Sequence, residues 1–399
     1  MPTLSRAKSP STQPIRIRCY HFNRAFTVTF DSPQTKRHRA DSVIIRIDCR
    51  DGTSAFGESA PRPYVTGEDC QSVANLIVDC FAPILFSHPI DSIESIQTTL
   101  HQLEAVCRQK GIRAYNSAIG AVDLALLDTI ERSQRIPPDQ FFPVKLRESL
   151  RFSVSVPFLS LDVIRKYFPI FSTHVDISAI KILISESTAE TYQRVKLIHQ
   201  LANPGTELRL EFNGKMDFSN VTETLDRLSP FDISAVEEPL PSGHFEELHQ
   251  LRQQFGVDLI ADESLVTFDD AKDLAESGAY TIFNLKVSKC GGLLQSMRIA
   301  KLADRHGIRC HVGTHVGESE LLGMAGRRLA RSLPNFDCYG GGSEFLFAGL
   351  LNPHKQATVT TWSSPADRAL LKNDILRDLT PERHLLADTG TTTPHKIRP

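Results

Sequence analysis

No apolar run in this 399-residue chain is long enough to cross a bilayer, and the opening stretch MPTLSRAKSPSTQPIR lacks the hydrophobic core of a secretory signal. Excess charge of either sign is also missing. With 45 Lys+Arg against 47 Asp+Glu the formal net charge is −2, so no basic field exists to hold nucleic acid or an anionic membrane. A small neutral or anionic molecule is the expected partner. The eight cysteines include no CxxC pair, which suits reduced thiols in the cytoplasm, each acting as a small hydrophobe. What remains is ordinary for a soluble globular protein, 41% hydrophobic and 23% charged, with length enough for two domains.

Two regimes follow one another along the chain. From Ile15 to about Ala60, IRIRCYHF, AFTVTF and SVIIRIDC read as strands separated by the polar stretch DSPQTKRHRAD, with a turn at Asp51-Gly52, which predicts an antiparallel meander. From Gly67 to about Arg135 the apolar spacing lengthens to helical in SVANLIVDCFAPIL, IESIQTTLHQLEAVCRQ and YNSAIGAVDLALLDTIERS. The first third is therefore α+β. After the break PPDQFFP, short apolar runs appear in the order LRFSVSVPF, ISAIKILIS, ELRLEFN, DISAVEEPL, DLIADES, YTIFNLKVS, IRCHVGTH and NFDCYGG. Amphipathic stretches such as AETYQRVKLIHQLA, HFEELHQLRQQF, TFDDAKDLAES and LLQSMRIAKLADRHG fall between them. Eight runs alternating with helices predict a (β/α) barrel rather than an open sheet. No GxGxxG follows the first of them, which argues against a dinucleotide fold.

Such a barrel carries its chemistry at the C-terminal ends of its strands. There the third run ends in Glu211-Phe212-Asn213, the fourth in Glu237-Glu238-Pro239 and the fifth in Asp262-Glu263-Ser264. The spacings of 26 and 25 residues each match one βα unit, so three adjacent strands deliver a carboxylate to one rim. Like charges that close require a divalent cation or a proton. All-oxygen ligands favour Mg²⁺, with Mn²⁺ as a substitute; the other reading is that each carboxylate caps the following helix. The stretch SAIKILIS adds a cation. Alternation places Lys181 with Ala179, Leu183 and Ser185 on one face, opposite Ile180, Ile182 and Ile184. A lysine buried there needs a partner or a task.

VEEPLP, ADES and NLKVSKCGG, following LEFNG and IKILIS, resemble the barrel motifs of the enolase superfamily, in the muconate-lactonizing-enzyme subgroup of the mandelate racemase/muconate lactonizing enzyme family. Dipeptide epimerases and o-succinylbenzoate synthases belong to the same subgroup. The resemblance covers nearly the whole chain and includes DGTSAFGESAPRPYVTGE and YNSAIGAVDLALLD, which are similar to the subgroup's substrate-loop and helical segments. It implies a modified TIM (β/α)7β-type barrel over 146–350 and an N-terminal α+β capping domain over 15–145. Residues 351–385 would return to complete the capping domain, between flexible tails at 1–14 and 386–399. It also implies a homo-oligomer, and specificity set by capping loops around Thr27–Ala40 and Pro61–Glu68.

Residue by residue, the resemblance implies that Glu211, Glu237 and Asp262 bind the metal, Glu211 standing where aspartate is more common, and that Lys286 is the sixth-strand acid/base. Asn213 falls beside the metal site and Glu263 near the sixth-strand lysine, both within reach of substrate; Glu238 supports from behind or starts a helix. The subgroup's second strand carries a K-x-K pair whose second lysine is the acid/base. Here the pair reads Lys181-Ile182-Leu183, so Lys181 keeps an electrostatic role and leucine stands in place of the second base. The seventh strand reads CHVGTHVGE where G-T-M-x-E is more usual, placing His315 at a commonly apolar position and Glu318 near the acidic one. An imidazole there is either a proton carrier that makes up for Leu183 or a buried, hydrogen-bonded side chain. Gly340 to Gly342 offer backbone N–H groups to a substrate carboxylate, or form a bare turn.

The implied chemistry is Mg²⁺-assisted abstraction of a proton α to the carboxylate of a small substrate, through an enediolate. Because Leu183 removes one base, a lyase of dehydratase type or a cycloisomerase using Lys286 is the leading expectation. The alternatives are a racemase or epimerase using Lys286 with His315, and a non-catalytic binding protein that kept the fold.

Overall fold

The structure, a computed structural model, describes residues 11–31, 36–136, 146–185, 187–341 and 384–388. Strands β1 (Pro14–Phe22), β4 (Ser42–Cys49) and β5 (Ser54–Ser59) pair antiparallel, while β2 (Ala25–Asp31) and β3 (Lys36–Arg39) form a separate hairpin. The expected meander is thus interrupted. AFTVTF pairs with KRHR, from the stretch read as a polar connection, and β1 passes over both to reach β4. Matching faces explain the choice: Ile17 lies opposite Ile47 and Cys19 opposite Ile45, all buried. Strand β14 (His384–Asp388) pairs with the other edge of β1.

Helix α1 (Cys70–Leu76) passes through a π-helical turn (Ile77–Phe81) into α2 (Ala82–Leu85), followed by α3 (Ile93–Gln109) and α4 (Asn116–Gln134). Helix α4 lies directly on β5. A Cβ on Gly57 would sit 2.0 Å from the Ala121 carbonyl oxygen, so only glycine permits that approach.

The remainder closes into a barrel of eight parallel strands: β6 (Phe152–Val156), β7 (Ile177–Leu183), β8 (Glu207–Glu211), β9 (Ile233–Glu237), β10 (Asp258–Ala261), β11 (Ile282–Leu285), β12 (Arg309–Val312) and β13 (Phe336–Tyr339). Seven helices alternate with them: α5 (Leu161–His174), α6 (Thr188–Leu201), α7 (Phe218–Arg227), α8 (Phe245–Phe255), α9 (Phe268–Ser277), α10 (Leu293–Arg305) and α11 (Glu320–Ser332). All eight expected runs form strands. Their caps are local: Thr267 and Asp270 make a reciprocal capping box for α9, and Asp217 caps α7. Register then levels the site, because Leu183 pairs with Glu211 and Glu211 with Glu237.

Below that level the barrel holds an ionic floor. Arg209, two residues before Glu211, donates to both Asp337 oxygens at 2.5 and 3.1 Å and to Glu207 at 2.6 Å. Arg309 donates to Asp337 at 3.1 Å and pairs with Asp258. Two capping-domain carboxylates in turn cap barrel helices. Glu58 accepts the N–H groups of Ser319 (2.9 Å) and Leu322 (3.2 Å) at α11, and Asp123 accepts that of Leu293 (2.6 Å) at α10. Burial, only partly offset by the α10 N–H groups, pushes the Asp123 carboxyl up to about 7.

All eight cysteines are unpaired thiols, and no helix among the described residues is long and apolar enough to cross a membrane.

Candidate active site at the barrel rim

Glu211 and Glu237 are the last residues of β8 and β9, and Asp262 follows β10 directly. One carboxylate oxygen from each lies within 4.8 Å of the others. The lysine of SAIKILIS has its partners here: Lys181 Nζ is 2.8 Å from Glu237 Oε1 and 3.2 Å from Glu211 Oε2. Lys286, just past β11, lies across the barrel with its Nζ 2.5 Å from Asp262 Oδ2. Glu263, expected near Lys286, lies close enough for its charge to act on that lysine, and it takes an N–H of Asn213 at 3.3 Å, while Asn213 also donates to Glu211 at 2.8 Å.

Two contributors escaped the sequence reading. Lys289 is wholly buried and donates to Asp262 Oδ1 (2.7 Å), the Asp262 carbonyl (2.5 Å) and the Asn284 carbonyl (2.9 Å). Asn284 donates to Glu237 Oε1 at 2.9 Å. NLKVSKCGG contained the signal for Lys289, a second lysine three residues after the first and just before two glycines.

The electrostatics follow from burial and neighbours. Burial, with Glu211 and Asp262 nearby, pushes Glu237 up to about 7 even against Lys181, and one of its oxygens has no hydrogen-bond partner. Burial and Asp262 push Glu263 up to about 8. Asp262 is the exception: burial would raise it, but Lys286 and Lys289 hold it well below the carboxylate range. For Lys181 and Lys286 burial opposes the charge, yet the facing carboxylates more than offset it and keep both above the ordinary lysine value.

The backbone beneath is strained. Asn213 and Glu238 adopt φ of 56° and 38°, and residues in such regions each cost about 1–3 kcal/mol. Glu238 is held there by its own carboxylate, which accepts Asp262 N–H (2.6 Å) and the Ser264 hydroxyl (3.1 Å) and thereby fixes the turn that presents Asp262.

On the seventh strand's loop, His315 is buried, with its Nδ1 2.8 Å from the Ala60 carbonyl in the capping domain. Burial, Lys286 and Arg62 hold the imidazole well below its usual pKa, so it is neutral. Glu318 turns into its own loop, where one oxygen accepts the His315 N–H at 2.6 Å, and burial pushes it up to about 8. The Gly340 N–H donates to the Val312 carbonyl at 2.7 Å and is therefore not offered to a substrate; Gly342 lies outside the described residues. Around the ring, β7 with Leu183 lies four places from β11, diametrically opposite Lys286, whereas β12 with its His315 loop adjoins β11. Three carboxylates, one with an unpartnered buried oxygen, are a donor set that fits a hard divalent cation such as Mg²⁺.

Residues 17–141 match the family described as mandelate racemase/muconate lactonizing enzyme, N-terminal domain, and residues 172–360 match enolase C-terminal domain-like. The chain belongs to the mandelate racemase/muconate lactonizing enzyme family of the enolase superfamily of enzymes. Its curated relatives include a hydrophobic dipeptide epimerase of Citrifermentans bemidjiense, 29% identical over 78% of this chain and 83% of the relative. Muconate cycloisomerase 1 of Rhodococcus opacus is 24% identical over 73% and 79%. A crystal structure of the dipeptide epimerase from Enterococcus faecalis, complexed with Mg and the dipeptide L-Leu-L-Tyr, shares the fold with a TM-score of 0.75 at 21% identity, covering 84% of this chain and 92% of that one.

Proposed function

We propose that the protein removes the proton α to the carboxylate of a small substrate from one face, with Lys286 as the base and a metal held by Glu211, Glu237 and Asp262. The observation that carries this reading is Leu183 standing on the strand opposite that of Lys286, level with a three-carboxylate cluster. A Mg²⁺ ion bound there would offset the three negative charges and polarise the substrate carboxylate, so that the α-proton becomes acidic enough to remove. Lys286, its side chain 12% exposed and its Nζ now on Asp262 Oδ2, takes the proton as the free amine once that pairing is relieved. Lys181 stays an ammonium between Glu211 and Glu237 and steadies them from below. Lys289 and Glu238 fix Asp262, the first through its carboxylate and the second through its N–H. A single base suits β-elimination, in which the β-group leaves as the α-carbanion collapses, or cycloisomerisation, in which an intramolecular bond opens or closes while one proton is exchanged at the α-carbon; neither needs a second proton carrier opposite.

A racemase or epimerase is the second reading, and the names of the relatives, mostly epimerases and racemases, favour it over a lyase. It would bring dipeptides or N-acylated amino acids as substrates. Its difficulty is the opposite face: Leu183 carries no proton, and the His315 loop adjoins the Lys286 strand. Deuterium incorporation from heavy water, followed by NMR on each epimer of dipeptides, N-acyl amino acids and β-hydroxy acids in the presence of Mg²⁺, separates the readings. The expected result is exchange in one epimer only, reduced about 10²–10⁴-fold in Lys286→Ala. Exchange in both epimers would establish the epimerase reading instead, and none with any substrate would favour a binding protein.

A further inference from the structure

A second cluster of donors lies in the capping domain. His21 is the penultimate residue of β1, Asp41 sits between β3 and β4, and Cys70 opens α1. One ligand atom from each lies within 4.8 Å of the other two. His21 Nε2 is 2.6 Å from Asp41 Oδ1, and the Cys70 thiol donates to that same oxygen at 3.2 Å. All three side chains are partly exposed, so a cation from solvent has access.

The surroundings indicate what a cation would hold together. Asp41 stands at the root of the β2–β3 hairpin, which the Ala40 N–H closes onto the Arg24 carbonyl at 2.7 Å. Arg62 donates to the Asp41 carbonyl (3.0 Å) and to the Val316 carbonyl (2.6 Å), next to His315. Gly317 presses on the same root, where an added Cβ would lie 3.0 Å from Ala40 Cα. The cluster is thus one residue from the place where the capping hairpin meets the rim loop.

We infer that His21, Asp41 and Cys70 form a second metal site, for Zn²⁺ or a similar first-row cation, that clamps the root of the β2–β3 hairpin beside the rim. The donors set it apart from the carboxylate cluster: imidazole nitrogen and thiolate sulfur with one carboxylate suit zinc, whereas three carboxylates suit magnesium. Bonds of about 2.0–2.3 Å in a tetrahedron put neighbouring donors roughly 3.3–3.6 Å apart. The two contacts to Asp41, at 2.6 and 3.2 Å, would open modestly to reach that spacing, and His21 and Cys70 already lie within 4.8 Å of each other. On binding, Cys70 releases its thiol proton to solvent as the sulfur becomes a ligand, and water fills the fourth position. The site stands independently of the reaction assigned to the rim.

The test uses the full chain saturated with Mg²⁺ and titrated with Co²⁺, which reports sulfur ligation by a thiolate-to-cobalt charge-transfer band. One equivalent should produce the band, and Zn²⁺ should displace it. Cys70→Ser, whose hydroxyl still donates to Asp41 and so preserves the fold, should abolish the band. His21→Ala should weaken Co²⁺ binding by at least about 10-fold, and Glu237→Gln should leave the band intact. Zn²⁺ should also slow amide hydrogen exchange across residues 36–41. Absence of the band in the parent, its survival in Cys70→Ser, or its loss in Glu237→Gln would overturn the site. Unchanged exchange across 36–41 would overturn the clamp.

Discussion

At the floor of the barrel Arg209 and Asp337 meet through two hydrogen bonds and Arg309 adds a third, whereas at the rim just above, Glu237 keeps one buried oxygen without a partner. Both layers bury charge, but with different cations. The floor uses guanidinium groups, planar and permanently charged, which match a carboxylate with two donors at once. His311 and Arg209 together hold Asp337 well below the carboxylate range despite burial. The rim uses ammonium groups, point charges able to lose a proton, against a carboxylate cluster in which Glu237 leaves one buried oxygen unmatched. A carboxylate matched on both oxygens, as Asp337 is, supports the fold; one with an oxygen left unmatched, as in Glu237, is where a cation and a moving proton fit.

Breaking the floor should have the largest effect. Arg209→Met removes two of the three guanidinium hydrogen bonds to Asp337, leaving only that of Arg309, and should lower the unfolding free energy by about 3–5 kcal/mol, measured by urea denaturation. Added Mg²⁺ should not restore it, and a restoration would mean that floor and rim are not separate layers. At the rim, Mg²⁺ at a hundredfold excess over its Kd should stabilise the parent by about 2.7 kcal/mol. Glu237→Gln should lose that gain in thermal unfolding, and a variant still stabilised by Mg²⁺ would place the ion elsewhere.

Asp123 sharpens the contrast as a buried carboxylate that faces a helix N-terminus and is not paired with a cation, Arg328 acting on it only through its charge. Its folded pKa of about 7 exceeds the unfolded value of 3.8, so the folded state binds the extra proton between those limits. The stability this contributes is complete below pH 4 and is lost as pH rises to 7. Asp123→Asn should therefore gain on the parent across pH 4–7, by at most roughly 1.4 kcal/mol per pH unit, and then level off. A difference independent of pH would show that the carboxyl stays ionised throughout.

Much of the rim was legible because its parts recur once per βα unit. Glu211, Glu237 and Asp262 could be aligned by spacing, and Lys181 stood out because alternation turned it inward from an aliphatic strand. The floor was not legible. Arg209 and Asp337 are 128 residues apart, and nothing local marks them as partners until the barrel closes. Lys289 was missed because it follows the strand, where period-two alternation no longer says which way a side chain points. The hairpin strand KRHR was hidden by its charge, since a short pair outside the main sheet needs no apolar face. The glycines at 340 to 342 read as N–H donors to a substrate carboxylate or as a bare turn, but Gly340 still donates to Val312, so the barrel ladder outlasts the regular strand.

Strand β14 gives the molecule a timetable. Because β1 is covered on one side by β4 and on the other by residues 384–388, its second edge stays bare until residue 388 has left the ribosome. At about 5–20 residues per second, that interval spans tens of seconds. During it a nascent chain presents an open strand edge capable of pairing with another chain, and a release factor or a truncation that stops short of His384 would leave that edge bare for good.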